Sequence, residues 1–364
     1  MPLETPDLIK TAHLGGMQVD ACLSRQADDP LWDSFLRASH LGQFQQSSMW
    51  SRVKALENWS CIRVVLKHGD EIVGGFQLLR KKMGPIAIGY ISKGPVLKLD
   101  NFLMVEFSIQ LISAIARKFR ISAIIVQVPD RCNYGQFFLQ SPLFLPNRIL
   151  GVIENTLIVD VGREIKEVER DLSRETRRMI RKAEQMGIRI REGDASDAES
   201  FFNLMLSSCR RQQQKKPNPP NVESLRRLME TFHSQGCVRL TLAEYSGMAI
   251  AGQLSILFGE TVNLFKKGWS PQHNDLRPNE LLFWDALRWS QRQGYRFCDF
   301  GSLQPDIAAA LLQKRELNAK QKQSRDVFNI RFGGRPLALP HSAVFIANHA
   351  LRLAYRTALL IRKR

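Results

Sequence analysis

The chain has 364 residues, 44% hydrophobic and 24% charged, and its 52 Lys+Arg against 35 Asp+Glu give a formal charge of +17. This composition excludes a disordered or fibrous protein, and the length passes the roughly 250–300 residues at which single cores stop growing, so two domains are expected. The cation excess points to an anionic partner: nucleic acid, nucleotide phosphates or an anionic membrane face.

The opening stretch carries acids where a secretory leader needs cations. No later run reaches the ~20 apolar residues of a membrane span. The six cysteines form no CxxC pair and the seven histidines no HExxH. A cytoplasmic protein without a metal or a disulfide framework is therefore predicted.

The first clear element is a hairpin, Gly69-Asp70-Glu71-Ile72-Val73-Gly74-Gly75, followed by a strand at 86–91, a helix at 103–119 and a strand at 121–126. The same grammar returns 178 positions later, at Gly247-Met248-Ala249-Ile250-Ala251-Gly252. A strand at 262–269, a helix at 279–293 and a strand at 295–300 follow it. Equal order at equal spacing predicts two copies of one α/β fold.

Between the copies, Leu172, Thr176, Met179, Ala183 and Met186 recur at helical spacing, predicting one helix over 164–186 that ends at Gly187. Arg174, Arg177, Arg178 and Arg181 share its opposite face. That face is either a solvated surface or a phosphate-facing one, since arginine forks fit phosphate oxygens. The prolines and glutamines of 210–220 predict a loop, either a connector or a lid. The last segment, 341–364, alternates apolar residues with Arg352 and Arg356, as in a basic amphipathic helix docked on the protein or lying on a membrane.

Several of these stretches carry a resemblance: Leu172-Ser173-Arg174-Glu175-Thr176-Arg177-Arg178, Pro278-Asn279-Glu280-Leu281-Leu282 and Asp299-Phe300-Gly301. The first half adds Gln46-Ser47-Ser48-Met49-Trp50, then Lys54, and Tyr90-Ile91-Ser92-Lys93-Gly94-Pro95. Phe328-Asn329-Ile330-Arg331-Phe332-Gly333-Gly334 completes the series. In this order they resemble the FemABX type of GNAT-fold acyltransferases, from about Trp32 to Gly334. The resemblance implies two tandem GNAT-like domains, mixed β-sheets flanked by helices, at 20–160 and 161–335, with a C-terminal amphipathic helix over 336–364. It also implies aminolysis of an ester: an aminoacyl group, typically on tRNA, passes to an amine of a cell-wall precursor. Such a reaction needs a neutral amine, a proton acceptor and donors to the oxyanion, and no serine or cysteine nucleophile.

Ordinary GNAT acetyltransferases hold CoA pyrophosphate on a Gly-rich loop opening a helix, whereas Asn274–Glu280 contains no glycine. A phosphorylated acyl donor is therefore expected in place of CoA, with no cofactor. The resemblance assigns Lys54, beside Trp50, and Arg211 to precursor phosphates, each with a plain surface residue as the alternative. It sets Arg331 at the donor end and Asn279 at the helix that opens beside the site; Asp299, ending a strand just before Phe300-Gly301, either orients the amine or accepts its proton, or is a helix-cap or turn residue. The family element around Asn329 usually carries lysine there, so the asparagine weakens or redirects donor binding. Arg177 and Arg178 are donor-binding candidates. The expected partners are an aminoacyl-tRNA or other phosphorylated donor and a nucleotide- or lipid-linked envelope precursor, at the inner face of the membrane. Acylation in exopolysaccharide or lipid-linked glycan synthesis, and a non-catalytic twin-GNAT adaptor for RNA or lipid, are the competing readings.

Overall fold

Both predicted hairpins are present, and each sits within its own sheet. The computed structural model describes residues 7–98, 101–211 and 217–361. The chain divides into two units, Met1–Val152 with Leu339–Arg364, and Ile153–Ala338.

In the first unit Ser60–His68 and Glu71–Met83 pair antiparallel around the Gly69 turn, and Ile86–Ser92 adds a further antiparallel strand. Helix Phe102–Lys118 then carries the chain over to Ala123–Gln127, which pairs parallel with Ile86–Ser92. The second unit repeats the series with Val238–Tyr245, Met248–Phe258, Thr261–Trp269, helix Pro278–Arg292 and strand Phe297–Ser302. A parallel pair requires a crossover of this kind, so the helix between the strands follows from the pairing. In each unit a strand and two helices come directly before this series: Met17–Ser24, Pro30–Ala38 and Ser48–Ala55, then Arg189–Gly193, Ala198–Arg211 and Val222–His233. The architecture is thus two mixed sheets flanked by helices, a tandem GNAT-like fold, and the repetition reaches further upstream than the hairpin spacing revealed.

The unit limits differ from the expected 20–160 and 161–335. Strand Asn155–Asp160 belongs to the second sheet, antiparallel to Phe297–Ser302, while Ala343–Ile346 returns to the first sheet beside Ala123–Gln127. Segment 336–364 therefore holds strands as well as the helix His349–Ile361. A strand's alternation reports which face is buried and not which sheet receives it, so this exchange left no local mark. On the C-terminal helix, Arg352 donates to the carbonyls of Leu143 (2.9 Å) and Pro142 (2.7 Å), while Leu353, Leu360 and Ile361 stay exposed.

The expected single helix over 164–186 is two helices, Ile165–Asp171 and Arg174–Gln185. Leu172 and Ser173 are extended, with ψ of 140° and 150°. The Ser173 hydroxyl accepts from the Thr176 N–H at 3.1 Å and the Ser173 N–H donates to the Arg331 carbonyl at 2.8 Å. An N-cap serine held from both sides overrides an otherwise continuous apolar period. The buried face of the second helix comprises Thr176, Ile180 and Ala183, and Met186 is exposed.

Candidate active site

The two parallel strand pairs end differently. In the first unit Ile86–Ser92 and Ala123–Gln127 stay paired from Ile88 and Ala123 to Ser92 and Gln127. In the second unit pairing runs only through Thr261–Phe297, Val262–Cys298 and Asn263–Asp299, after which the strands part.

Two irregularities accompany the parting. The register of Met248–Phe258 with Thr261–Trp269 slips between Leu254 and Ser255, leaving Phe265 as the extra residue of a bulge. Opposite, Phe297–Ser302 slips against Asn155–Asp160 between Asp299 and Ser302, where Gly301 takes φ +85°. Only glycine adopts that conformation at little cost. Asp299 Oδ1 accepts from the Thr156 hydroxyl and from the Gly301 N–H (2.8 Å), and the same hydroxyl approaches the Gly301 carbonyl at 2.8 Å. Asp299 thus shapes the bulge that separates the strands. Bulges recur beside active sites because they re-aim side chains and terminate pairing.

Lys267 projects from the parted section of Thr261–Trp269. Its ammonium lies 5.1 Å from the Phe283 ring centre and 5.3 Å from that of Phe328. These rings, with Phe300 and Phe332, form a cluster with centroids 5.2–5.6 Å apart. Lys267 makes no hydrogen bond or ion pair to any described residue. Burial pulls its pKa down to about 8; Arg325 adds to the fall, and Asp326 opposes it. The Asp326 carboxylate accepts from the Gln304 N–H at 2.9 Å.

The elements that contact Lys267 carry amide oxygens that are buried without a partner. Asn329 is nine-tenths buried, and its Oδ1 has no hydrogen bond. Gln253, the cross-strand partner of Lys267, spends its Nε2 on the carbonyls of Leu254 and Lys266 and leaves Oε1 unbonded. Asn279, one turn before Phe283 in helix Pro278–Arg292, also keeps an unbonded Oδ1.

Charged groups gather at the start of that helix. Arg331 is exposed and pairs with Glu175 at 3.0 Å, and Arg277 lies 3.9 Å from Glu280. Burial holds the Glu280 carboxyl above the usual range, against its own helix amide and Arg277 and Arg331, while Glu175 adds to the rise. The preceding turn, Pro271–Leu276, contains no glycine, and Pro278, the first helical residue, offers no N–H. These residues do not fit a CoA pyrophosphate cradled on backbone amides.

The structure therefore brings Asn279, Asp299, Asn329 and Arg331 to one end of the second unit and adds Lys267, Glu280 and Asp326, which sequence reasoning missed. A signal for Lys267 existed. Lys266-Lys267 sits in a strand with Gly268 packed on helix Ala198–Arg211, and consecutive strand residues face opposite sides, so one lysine had to face a covering helix.

The arginine face is only partly available. Arg177 donates to the carbonyls of Glu169 (3.1 Å) and Arg170 (3.0 Å), closing the end of the preceding short helix. Arg174, Arg178 and Arg181 are exposed and pair with no described residue. Arg211 ends helix Ala198–Arg211, and its side chain and the loop 212–216 lie outside the described residues.

In the first unit Lys54 is held by Glu57 at 2.8 Å and lies 5.0 Å over Trp50, so its charge is already met. The motif around Trp50 forms a structural knot. Gln46 donates to the carbonyls of Gln77 (3.2 Å) and Ser92 (2.7 Å) and accepts from the Gln77 N–H (2.6 Å). A Cβ at Gly94 would fall 2.7 Å from the Gln46 amide, and Lys93 forms a buried ion pair with Asp130. A cavity of about 570 Å³ in the same unit is lined by Arg25, Arg63 and Lys118. Arg63 is bound there by Asp29 and Gln77 and Arg25 by Asp7, which leaves little cationic character for a ligand.

Comparison with known proteins gives a consistent pattern. A FemAB family model matches residues 29–135, and an acetyltransferase (GNAT) domain model matches residues 170–306. The lipid II:glycine glycyltransferase of Staphylococcus saprophyticus is 26% identical over 189 residues, 49% of this chain and 46% of that protein. Its counterpart in Staphylococcus aureus strain MRSA252 is 25% identical over 185 residues, 48% and 44% of the two chains. The chain spans about half the length of the curated relatives it matches. The crystal structure of FemX superposes with a TM-score of 0.78 at 16% identity, covering 95% of this chain and 99% of that one. The C-terminal domain of a putative lysylphosphatidylglycerol synthetase from Agrobacterium fabrum gives 0.55 at 12% identity over 89% and 95%. At these identities the two structures share the fold.

Proposed function

We propose that the chain is an acyltransferase of the FemABX type that transfers an aminoacyl group from an activated ester to an amine of a lipid-linked envelope precursor. The reading is carried by the opened strand pair of the second unit, where Lys267 lies against the Phe283 and Phe328 rings and Asn329 and Asn279, on the helices that bear those rings, keep buried amide oxygens without a partner. The donor is an aminoacyl-tRNA. Its terminal phosphates meet the exposed face of Arg174, Arg178 and Arg181, whose cations have no described carboxylate partner.

In the transfer, the amine nitrogen attacks the ester carbonyl carbon. The C–N bond forms, the C–O bond to the ribose breaks, and the proton lost by the amine ends on the departing oxygen. The protein contributes positioning and an environment with little water, where fixed dipoles act strongly on the developing charge. Among the described residues no helix is long and apolar enough to cross a membrane. We assign contact with the lipid-linked acceptor's membrane to the exposed Leu353, Leu360 and Ile361 of the C-terminal helix, beside Arg356.

The test offers purified protein a radiolabelled aminoacyl-tRNA pool, with and without precursor. Precursor-dependent loss of label from tRNA, with its appearance on the precursor, supports the proposal. Salt-sensitive tRNA binding with no transfer refutes it in favour of an RNA-binding adaptor.

A further inference from the structure

A lysine that merely fills space buries its methylene stem and carries its ammonium to water. Lys267 departs from that pattern. Its Nζ sits between two aromatic rings, no carboxylate forms an ion pair with it, and Asp326 is engaged with the Gln304 backbone. The neighbouring unbonded groups, Asn329 Oδ1 and Gln253 Oε1, are acceptors, and an acceptor buried without a donor is costly unless a ligand supplies one. A primary amine supplies N–H donors. The opened strand pair and the elements beside it thus combine a group able to take a proton with acceptors able to hold the remaining N–H bonds of an amine.

We propose that Lys267 is the proton carrier of the acyl transfer and that Asn329 Oδ1 orients the attacking amine, an assignment that rests on the function proposed above. The neutral Lys267 Nζ takes a proton from the amine as the C–N bond forms. The resulting ammonium returns that proton to the ester oxygen as the C–O bond breaks, so the lysine ends as it began. A lowered pKa keeps a usable fraction of Lys267 neutral near pH 7–8, which an ordinary lysine lacks. The charged groups that bear on it are Arg325 and Asp326, flanking the Phe328 helix.

The test compares wild type with Lys267→Arg and Lys267→Met in single-turnover transfer from aminoacyl-tRNA to the lipid-linked precursor. A second readout, the ¹³Cε NMR titration of the lysines, does not depend on activity. The expected result is a lysine resonance that titrates near pH 8 and is missing from both variants. Wild-type transfer should rise with pH to a plateau above 8, and both variants should be slower by about 10²–10⁴ with donor binding retained. Lys267→Arg retaining at least a third of the wild-type rate would overturn the assignment, because arginine keeps the charge and cannot release the proton. Absence of any lysine titrating between 7 and 9 would overturn it equally. A wild type that transfers nothing would instead overturn the underlying function, which separates the two failures.

Discussion

Replacing Lys267 by methionine should make the protein more stable at neutral pH while slowing its transfer reaction. Methionine has similar length and packs well against aromatic rings. The lysine's pKa is lower in the folded protein, about 8 against 10.5 in the unfolded chain, so the unfolded state binds more protons between these values and stability rises with pH across that window. Below pH 8 the folded protein carries the full cost of a desolvated ammonium. At about 1.4 kcal/mol per tenfold change this cost is about 3 kcal/mol. The pKa already includes whatever the aromatic rings return, and about 2–3 kcal/mol is therefore left for the substitution to recover. Urea unfolding, followed by tryptophan fluorescence at pH 6.5 and at pH 10.5, measures both quantities. Lys267→Met should exceed wild type by about 2–3 kcal/mol at the lower pH, and the gap should close at the higher one. A less stable variant at pH 6.5, or a gap independent of pH, would refute the reasoning.

Four further outcomes are expected. Gly301→Ala meets open space but holds φ +85°, so it should lower stability by about 1–2 kcal/mol and slow transfer; an unchanged urea midpoint would contradict the bulge argument. Arg177→Gln should cost about 1 kcal/mol of stability, through two lost carbonyl partners, without altering tRNA affinity. Arg178→Gln should do the reverse, reducing the slope of log K against log salt by about 1, and equal effects of the two changes would remove the assigned donor face. Replacing Leu353, Leu360 and Ile361 together by glutamate should abolish co-sedimentation with anionic vesicles, and retained binding would place the membrane contact elsewhere.

Much of the fold was legible because its signals are local. The Gly69 and Gly247 turns, the alternation that follows them and the helices before Ala123 and Phe297 are each written in a few adjacent residues. The candidate site was legible only in part. Asn329, Asn279, Arg331 and Asp299 stood out through a resemblance, but their letters did not distinguish a bonded side chain from an unbonded one. Arg177 and Arg178 are neighbours of one type, and the break at Ser173, a capping choice, binds one to backbone carbonyls and leaves the other exposed.

The sequence by itself determined a repeated hairpin, strand, helix and strand, and a large positive charge, because turn chemistry, periodicity and composition need no distant partner. Only the tertiary structure decided that Asn155–Asp160 and Ala343–Ile346 complete different sheets and that the second strand pair opens while the first stays shut. It also decided that Lys267 loses its water. Each of these depends on registers and packing between segments far apart in the chain, where the local free-energy differences that shape a strand or a helix are silent.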